Sequence, residues 1–234
     1  MAALPHASPP LGLRRSTRIL KPMRPVLILA SQSPARASLL TRAHLPYDTV
    51  VSHVDEDAAL AEHGPLSPSD AALLLARAKA EAVASLEVAE GRVVLGCDSV
   101  FELDGESYGK PYTADVAVER ITAMSGRKGT LHTGHWLVDR GNGETLGEGA
   151  VSSADVYFAQ MSREEINDYV ATGEPLQVAG SFTLDGRGSV FIERVDGDPN
   201  AVIGLSISTL RRLLAARGIS PSHWWRPTPQ VTTS

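Results

Sequence analysis

The chain has 234 residues, 43% of them hydrophobic, and a formal charge of -5 at pH 7; it can bury a substantial core in one lobe or two closely joined ones. It is too acidic to coat nucleic acid, because duplex binding draws its affinity from a basic surface. Cys97 is the single cysteine, which excludes an internal disulfide or a cysteine-based zinc site and suits a reducing cytoplasm, and no apolar run approaches the ~20 residues needed to cross a bilayer.

Residues 1–22 hold Pro5, Pro9, Pro10 and Pro22 with Arg14, Arg15, Arg18 and Lys21, and lack the apolar centre of a secretory signal. They read as a mobile extension, or as an upstream start with Met23 as the natural beginning. Val26–Leu29 reads as a buried strand. Ser33 is a good N-cap, Pro34 suits the first helical position, and Leu39 and Leu40 give a helix over 34–42 its apolar face. The free N–H groups of that helix entrance, the hydroxyls of Ser31 and Ser33 and the guanidinium of Arg36 make a candidate anion cradle. Glu56 follows in Val54-Asp55-Glu56 as a loop carboxylate. A helix is expected over 69–88, where Lys79 would ordinarily be a charge on the wet face.

Val93–Leu95 reads as a strand running into Gly96-Cys97-Asp98-Ser99, which places the Asp98 carboxylate at a strand end facing a cleft. Cys97 reads as a small packing residue with no histidine beside it to make a thiolate. Asp104-Gly105 marks a hairpin turn, and Gly109-Lys110-Pro111 then returns a cation towards the same strand end. An acid that can hold a metal or polarise water, beside a lysine that can neutralise phosphate, suits phosphate-ester hydrolysis.

Further helices are expected near 114–124, 162–172 and 206–217. Strands are expected at His135–Val138, Ala154–Phe158 and Val190–Val195, with a second hairpin turn at Asp139 to Gly143. His132 and His135, three apart in an extended segment, point to opposite faces and do not share a metal. Gly218 closes the last helix, and the tail 219–234 reads as irregular apart from Trp224-Trp225, a pair that docks on its own protein or meets a second copy. Alternating strands and helices with hairpins indicate an α/β chain with a mixed sheet. No P-loop is present, Leu146 spoils a dinucleotide fingerprint at Gly141-Asn142-Gly143, and Gly204-Leu205-Ser206-Ile207-Ser208 misses the nucleophile-elbow pattern.

Taken in order, Ser31-Gln32-Ser33-Pro34-Ala35-Arg36-Ala37-Ser38-Leu39-Leu40, Gly96-Cys97-Asp98-Ser99-Val100, Gly109-Lys110-Pro111, Ser125-Gly126-Arg127, Thr133-Gly134, Tyr169 to Leu176, Ala179 to Phe182, Asp185 to Gly188 and Asp198 to Leu205 resemble the Maf family of nucleoside triphosphate pyrophosphatases. The resemblance runs over roughly residues 25–217, within a domain bounded at 23–218. It implies an elongated mixed sheet between helical layers with a central nucleotide cleft, and hydrolysis of a nucleoside triphosphate, including modified or non-canonical ones, to a monophosphate and pyrophosphate. It further implies Asp98 as proton acceptor, Arg36, Lys79 and Lys110 as phosphate contacts, and Asp98 with Glu56 as ligands of magnesium or manganese. Three positions depart from the branch that resembles a dTTP/UTP pyrophosphatase: Ala35 replaces an arginine, Ser99 a threonine and Asp185 a glutamine. An ionised aspartate only accepts hydrogen bonds and favours a base with an N–H edge, so the base is left unassigned. By family analogy a homodimer is expected. The alternative functions are a nucleotide-sensing regulator of division and a sanitising pyrophosphatase for ITP or XTP.

Overall fold

The computed structural model describes residues 27–141 and 145–225; the expected N-terminal extension 1–22 lies outside them. The elements follow as β1 (Leu27–Leu29), α1 (Pro34–Arg42), β2 (Tyr47–Thr49), α2 (Glu56–His63), α3 (Pro68–Ala84), β3 (Val93–Leu103), β4 (Glu106–Tyr108), α4 (Ala114–Met124), β5 (Lys128–Asp139), β6 (Leu146–Phe158), α5 (Arg163–Ala171), β7 (Ile192–Asp196), α6 (Pro199–Ile203) and α7 (Ile207–Ala216). The α/β class with a mixed sheet is as expected. Among the described residues, seven strands form one sheet in the order β2-β1-β3-β5-β6-β7, with β4 also paired to β3. The β1 pairings are parallel and the others antiparallel.

The site depends on how β3 is paired. Along one edge it pairs with β5 continuously from Val93 to Glu102. Along the other edge β1 covers only Val93–Leu95 and β4 only Phe101–Leu103. Among the described residues the stretch Gly96–Val100 therefore has no strand beside it on that edge, and the sheet is slotted in its middle. The Leu95 carbonyl accepts from Ala30 N at 2.8 Å on the β1 side, so by strand alternation Cys97 and Ser99 present their backbone N–H and C=O groups to the slot.

Two apolar clusters cover one face of the sheet, one at each end of the slot. Leu39 and Leu40 of α1 and Leu210, Leu213 and Leu214 of α7 pack with Leu27, Leu29, Leu95, Cys97 and Leu137. Beyond the slot, Ile121 and Met124 of α4 and Ile166 and Val170 of α5 pack with Phe101, Phe158 and Phe182. Those three rings meet edge to face with centroids 5.0 to 5.9 Å apart, a geometry that adds to their area burial. The opposite face carries α3, which lies unusually close. A Cβ on Gly96 would sit 2.1 Å from the Ala76 carbonyl oxygen, and one on Gly134 2.3 Å from that of Ala72. Glycines on the sheet and alanines on the helix let the two backbones meet.

Several expected boundaries are corrected. Strand β3 runs on to Leu103, so Asp98 lies in mid-strand; the strand that ends beside it is β1. Strands β5 and β6 are also longer than expected, because glycines and polar residues interrupt the apolar alternation in their added stretches. Helix α3 stops at Ala84 and a 3-10 turn follows at Glu87–Ala89. Strand β7 starts at Ile192, after a 3-10 turn over Arg187–Phe191. Helix α2 buries no residue and β2 none completely, so neither carries an apolar pattern to read. The Asp104-Gly105 hairpin is present, with both residues at positive φ, 56° and 85°. At the second hairpin β5 and β6 pair up to Asp139 and Leu146, while residues 142–144 lie outside the described set. In the tail, Pro221–Trp225 forms a 3-10 turn that docks on the protein, with Trp224 against the α1/α7 cluster and Trp225 Nε1 donating to Ala43 O at 3.1 Å. That part of the tail is not irregular; Pro227 and Pro229 lie outside the described residues.

Candidate active site

Adjacent residues of a strand point to opposite faces, and Asp98 and Ser99 do so at the slot. On the α3 face, Lys79 Nζ donates to Asp98 Oδ1 at 2.5 Å and lies 2.8 Å from Glu56 Oε1. The Lys79 and Asp98 side chains are only 11% and 12% exposed, whereas Glu56 is 46% exposed. The reading of Lys79 as a solvated charge is thus overturned: the glycine-alanine contact turns it inward, and the wet face carries Arg77 and Glu81, paired at 2.8 Å. Glu56 is the first residue of α2, whose N-cap Asp55 accepts from Ala58 N at 3.0 Å. It is therefore held on a helix start, where a carboxylate is favoured, and not in a loop.

On the other face, Arg36 emerges from the first turn of α1, capped by Ser33 as expected, with the cap oxygen 3.4 Å from Arg36 N. Its guanidinium donates to Gly204 O at 2.8 Å, Ser31 Oγ at 3.1 Å and Ser99 Oγ at 3.2 Å. Ser99 Oγ lies 2.9 Å from Thr133 Oγ1, which donates to Ala201 O at 2.8 Å. The direction is settled by elimination, since Thr133 has one proton and spends it on the carbonyl. Ser99 donates to Thr133 and accepts from Arg36. Among the described residues every acceptor that orders Arg36 is neutral, so none of them compensates its positive charge while three of its five N–H groups are committed.

Sequence reasoning missed the support beneath Arg36. Gly204 sits at φ 128°, open to few residues but glycine, and a Cβ there would come within 3.2 Å of Arg36 Nε. The turn it belongs to is pinned by Ser206, whose N–H donates to His135 Nε2 at 2.8 Å and whose hydroxyl donates to Asp198 Oδ2 at 2.6 Å. His135 is fully buried. Burial first, and the Arg36 charge second, push its pKa down to about 4, so it stands as a neutral acceptor for Ser206. His132 faces the other way, as expected, and binds Ser153 Oγ at 2.8 Å and Glu102 Oε2 at 2.9 Å.

Cys97 is buried between these groups, and its thiol is pushed up to about 12, chiefly by desolvation. The charges of Arg36, Asp98 and Lys79 act on it more weakly; the cations meet β3 at adjacent residues, Lys79 at Asp98 and Arg36 at Ser99. Lys110 is exposed on the loop leaving β4, across the slot from β1. Asp185 is exposed in the loop ahead of Arg187, and Ala35 is half-buried in the first turn of α1. Glu174 went unnoticed as the organiser of the Asp185 loop. Its carboxylate accepts from Thr183 Oγ1 at 2.5 Å, Gly188 N at 3.0 Å, Arg187 N at 3.1 Å and Tyr169 OH at 3.3 Å. Desolvation pushes its pKa up, but these bonds outweigh it and hold the carboxyl below the usual range.

A family model for Maf-like proteins matches residues 26–217. The chain belongs to the Maf-like protein family. It is 50% identical over 207 residues to a protein of Leifsonia xyli named nucleoside triphosphate pyrophosphatase, covering 85% of this chain and 96% of the relative. Proteins of the same name from Streptomyces avermitilis and Nocardia farcinica are 49% and 47% identical, covering 86% and 87% of this chain and 95% and 98% of theirs. Among the described residues no helix is long and apolar enough to cross a membrane.

Proposed function

We propose that this Maf-like protein hydrolyses nucleoside triphosphates between the α- and β-phosphorus, releasing a nucleoside monophosphate and pyrophosphate. One observation carries the reading: a carboxylate cluster and an uncompensated guanidinium flank a slot in the sheet from its two faces. The names of relatives covering nearly the whole fold support the same reaction.

In this reading the triphosphate lies in the slot against Arg36, with Ser31 and the backbone N–H groups of Cys97 and Ser99 as further donors and Lys110 closing from the β4 side. Asp98 accepts a proton from water as the water oxygen bonds to phosphorus, and the bridging P–O bond breaks with its electron pair leaving on pyrophosphate. Glu56 and Asp98 suit magnesium or manganese, since both are oxygen donors and already share one cation, the Lys79 ammonium. Such an ion would supply Lewis-acid stabilisation of the phosphate oxygens. Ala35, Ser99 and Asp185 are the positions this reading assigns to substrate specificity. The free, buried Cys97 fits a cytoplasmic enzyme.

The test is pyrophosphate release from a panel of standard and modified triphosphates with magnesium and with manganese. D98N should lose turnover by about a thousand-fold while still binding nucleotide; wild-type turnover in D98N would refute the assignment. Binding without pyrophosphate release from any substrate would favour a sensor, and activity confined to ITP and XTP a purine-sanitising enzyme.

A further inference from the structure

We infer that Lys79 is a resident counter-cation, occupying the seat that a divalent ion would take, and that filling the seat frees its ammonium for the triphosphate. The inference rests on the function proposed above and adds a charge switch to it. Two carboxylates from separate elements, Asp98 on β3 and Glu56 at the start of α2, converge on one ammonium at 2.5 and 2.8 Å. Without a cation between them they would repel, and Asp98 would be an unpaired charge in a site barely open to water. Lys79 solves this, but it spends there the charge that a phosphate-binding lysine needs.

The charge balance follows from those contacts. With Lys79 in place the cluster of two carboxylates and one ammonium is net negative, and it repels a polyanion from that side of the slot. A divalent ion between the same carboxylates balances them fully, and the released ammonium becomes surplus positive charge. Lys79 can make this move because it is a point charge on a flexible stem with rotatable donors. Its α3 backbone need not follow, since that backbone is fixed by contact with Gly96 and Gly134. Loading the cation therefore switches the α3 side of the slot from repelling the substrate to attracting it, on the side away from Arg36.

The experiment is a titration of the intact protein with manganese chloride alone, reading free Mn2+ by electron paramagnetic resonance, with thermal melts in parallel. K79M removes the competing charge at similar volume. It should bind Mn2+ about ten-fold tighter than wild type or better, melt lower than wild type without metal, and recover on adding Mn2+. K79R, which keeps the charge, should not gain affinity, and K79M combined with E56Q should lose the gain. Tight binding by K79M where the wild type shows little would support the inference most directly. Equal or weaker binding by K79M than by wild type would overturn it while leaving the metal in the proposed function intact. If wild type, K79M and K79R all fail to bind Mn2+, the metal itself is wrong and the inference goes with it.

Discussion

The two sides of β3 at Asp98 and Ser99 treat their cations in opposite ways. On the α3 side Lys79 is matched by two carboxylates at 2.5 and 2.8 Å. On the α1 side Arg36 is ordered by two hydroxyls and a carbonyl, none charged. Hydrogen bonds from neutral groups fix the position of a guanidinium without cancelling its field, whereas an ion pair cancels it. One side thus has its positive charge on offer and the other has it in reserve. In the proposed function a polyanion in the slot is therefore drawn to Arg36 and not to the paired Lys79.

The largest expected effect breaks the α3 side. Gly96→Ala puts a methyl 2.1 Å from the Ala76 carbonyl oxygen, and neither backbone can yield without parting the helix from the sheet. Denaturant unfolding should show a loss of about 3 kcal/mol or more. Because Lys79 would be carried away from Asp98, turnover should fall even at temperatures where the variant stays folded. A neutral effect on both would mean that the close approach does not position the cluster.

The next effect is confined to the α1 side and depends on pH. His135 is held neutral, with a pKa lowered to about 4 by burial and the Arg36 charge, against 6.5 for a free histidine. The unfolded chain binds the extra proton between those values, so the contribution of His135 is fully present above pH 6.5 and is lost as pH falls towards 4. The wild type should lose about 2 kcal/mol more than His135→Gln between pH 6.5 and 4. Parallel stability curves for the two proteins would remove His135 from the support of Gly204 and Arg36.

The smallest effect sharpens the comparison. Arg36→Lys keeps the charge but cannot make three fixed donations to Gly204, Ser31 and Ser99. KM should rise about ten-fold, with kcat changing less, if the neutral acceptors serve to aim the guanidinium. An unchanged KM would reduce those acceptors to packing.

Much of this was legible in the chain. Ser33 and Pro34 announce the start of α1, Asp104-Gly105 announces a turn, and the ordered motifs around Arg36 and Asp98 announce the family. The α3 side was harder. An alanine-rich helix has a weak apolar stripe, so Arg77, Lys79 and Glu81 look alike until Gly96 and Gly134 are seen to be the floor beneath them. Helix α2 buries no residue, so its start was marked only by the N-cap Asp55 and an acidic first turn, with no apolar stripe behind them to place Glu56 on a helix. The extent of β3 was hidden because its partner on one edge changes from β1 to β4, and a gap between two partners looks in sequence like the end of a strand. Glu174 and His135 act through backbone groups of distant loops, a relation that composition and spacing do not encode.

The slot also constrains how the molecule can be assembled. Its two rims are short strands three residues long, β1 and β4, whose alignment is dictated by the one long strand between them. A slip of β1 by a single residue along that ruler would take Leu27 and Leu29 from the α1/α7 cluster to the α3 face, where Ile28 packs, and carry Ser31 away from the guanidinium that it orders. Tolerance for insertions should therefore be least in the four residues joining β1 to α1, although they are loop: the binding apparatus begins where a ladder stops.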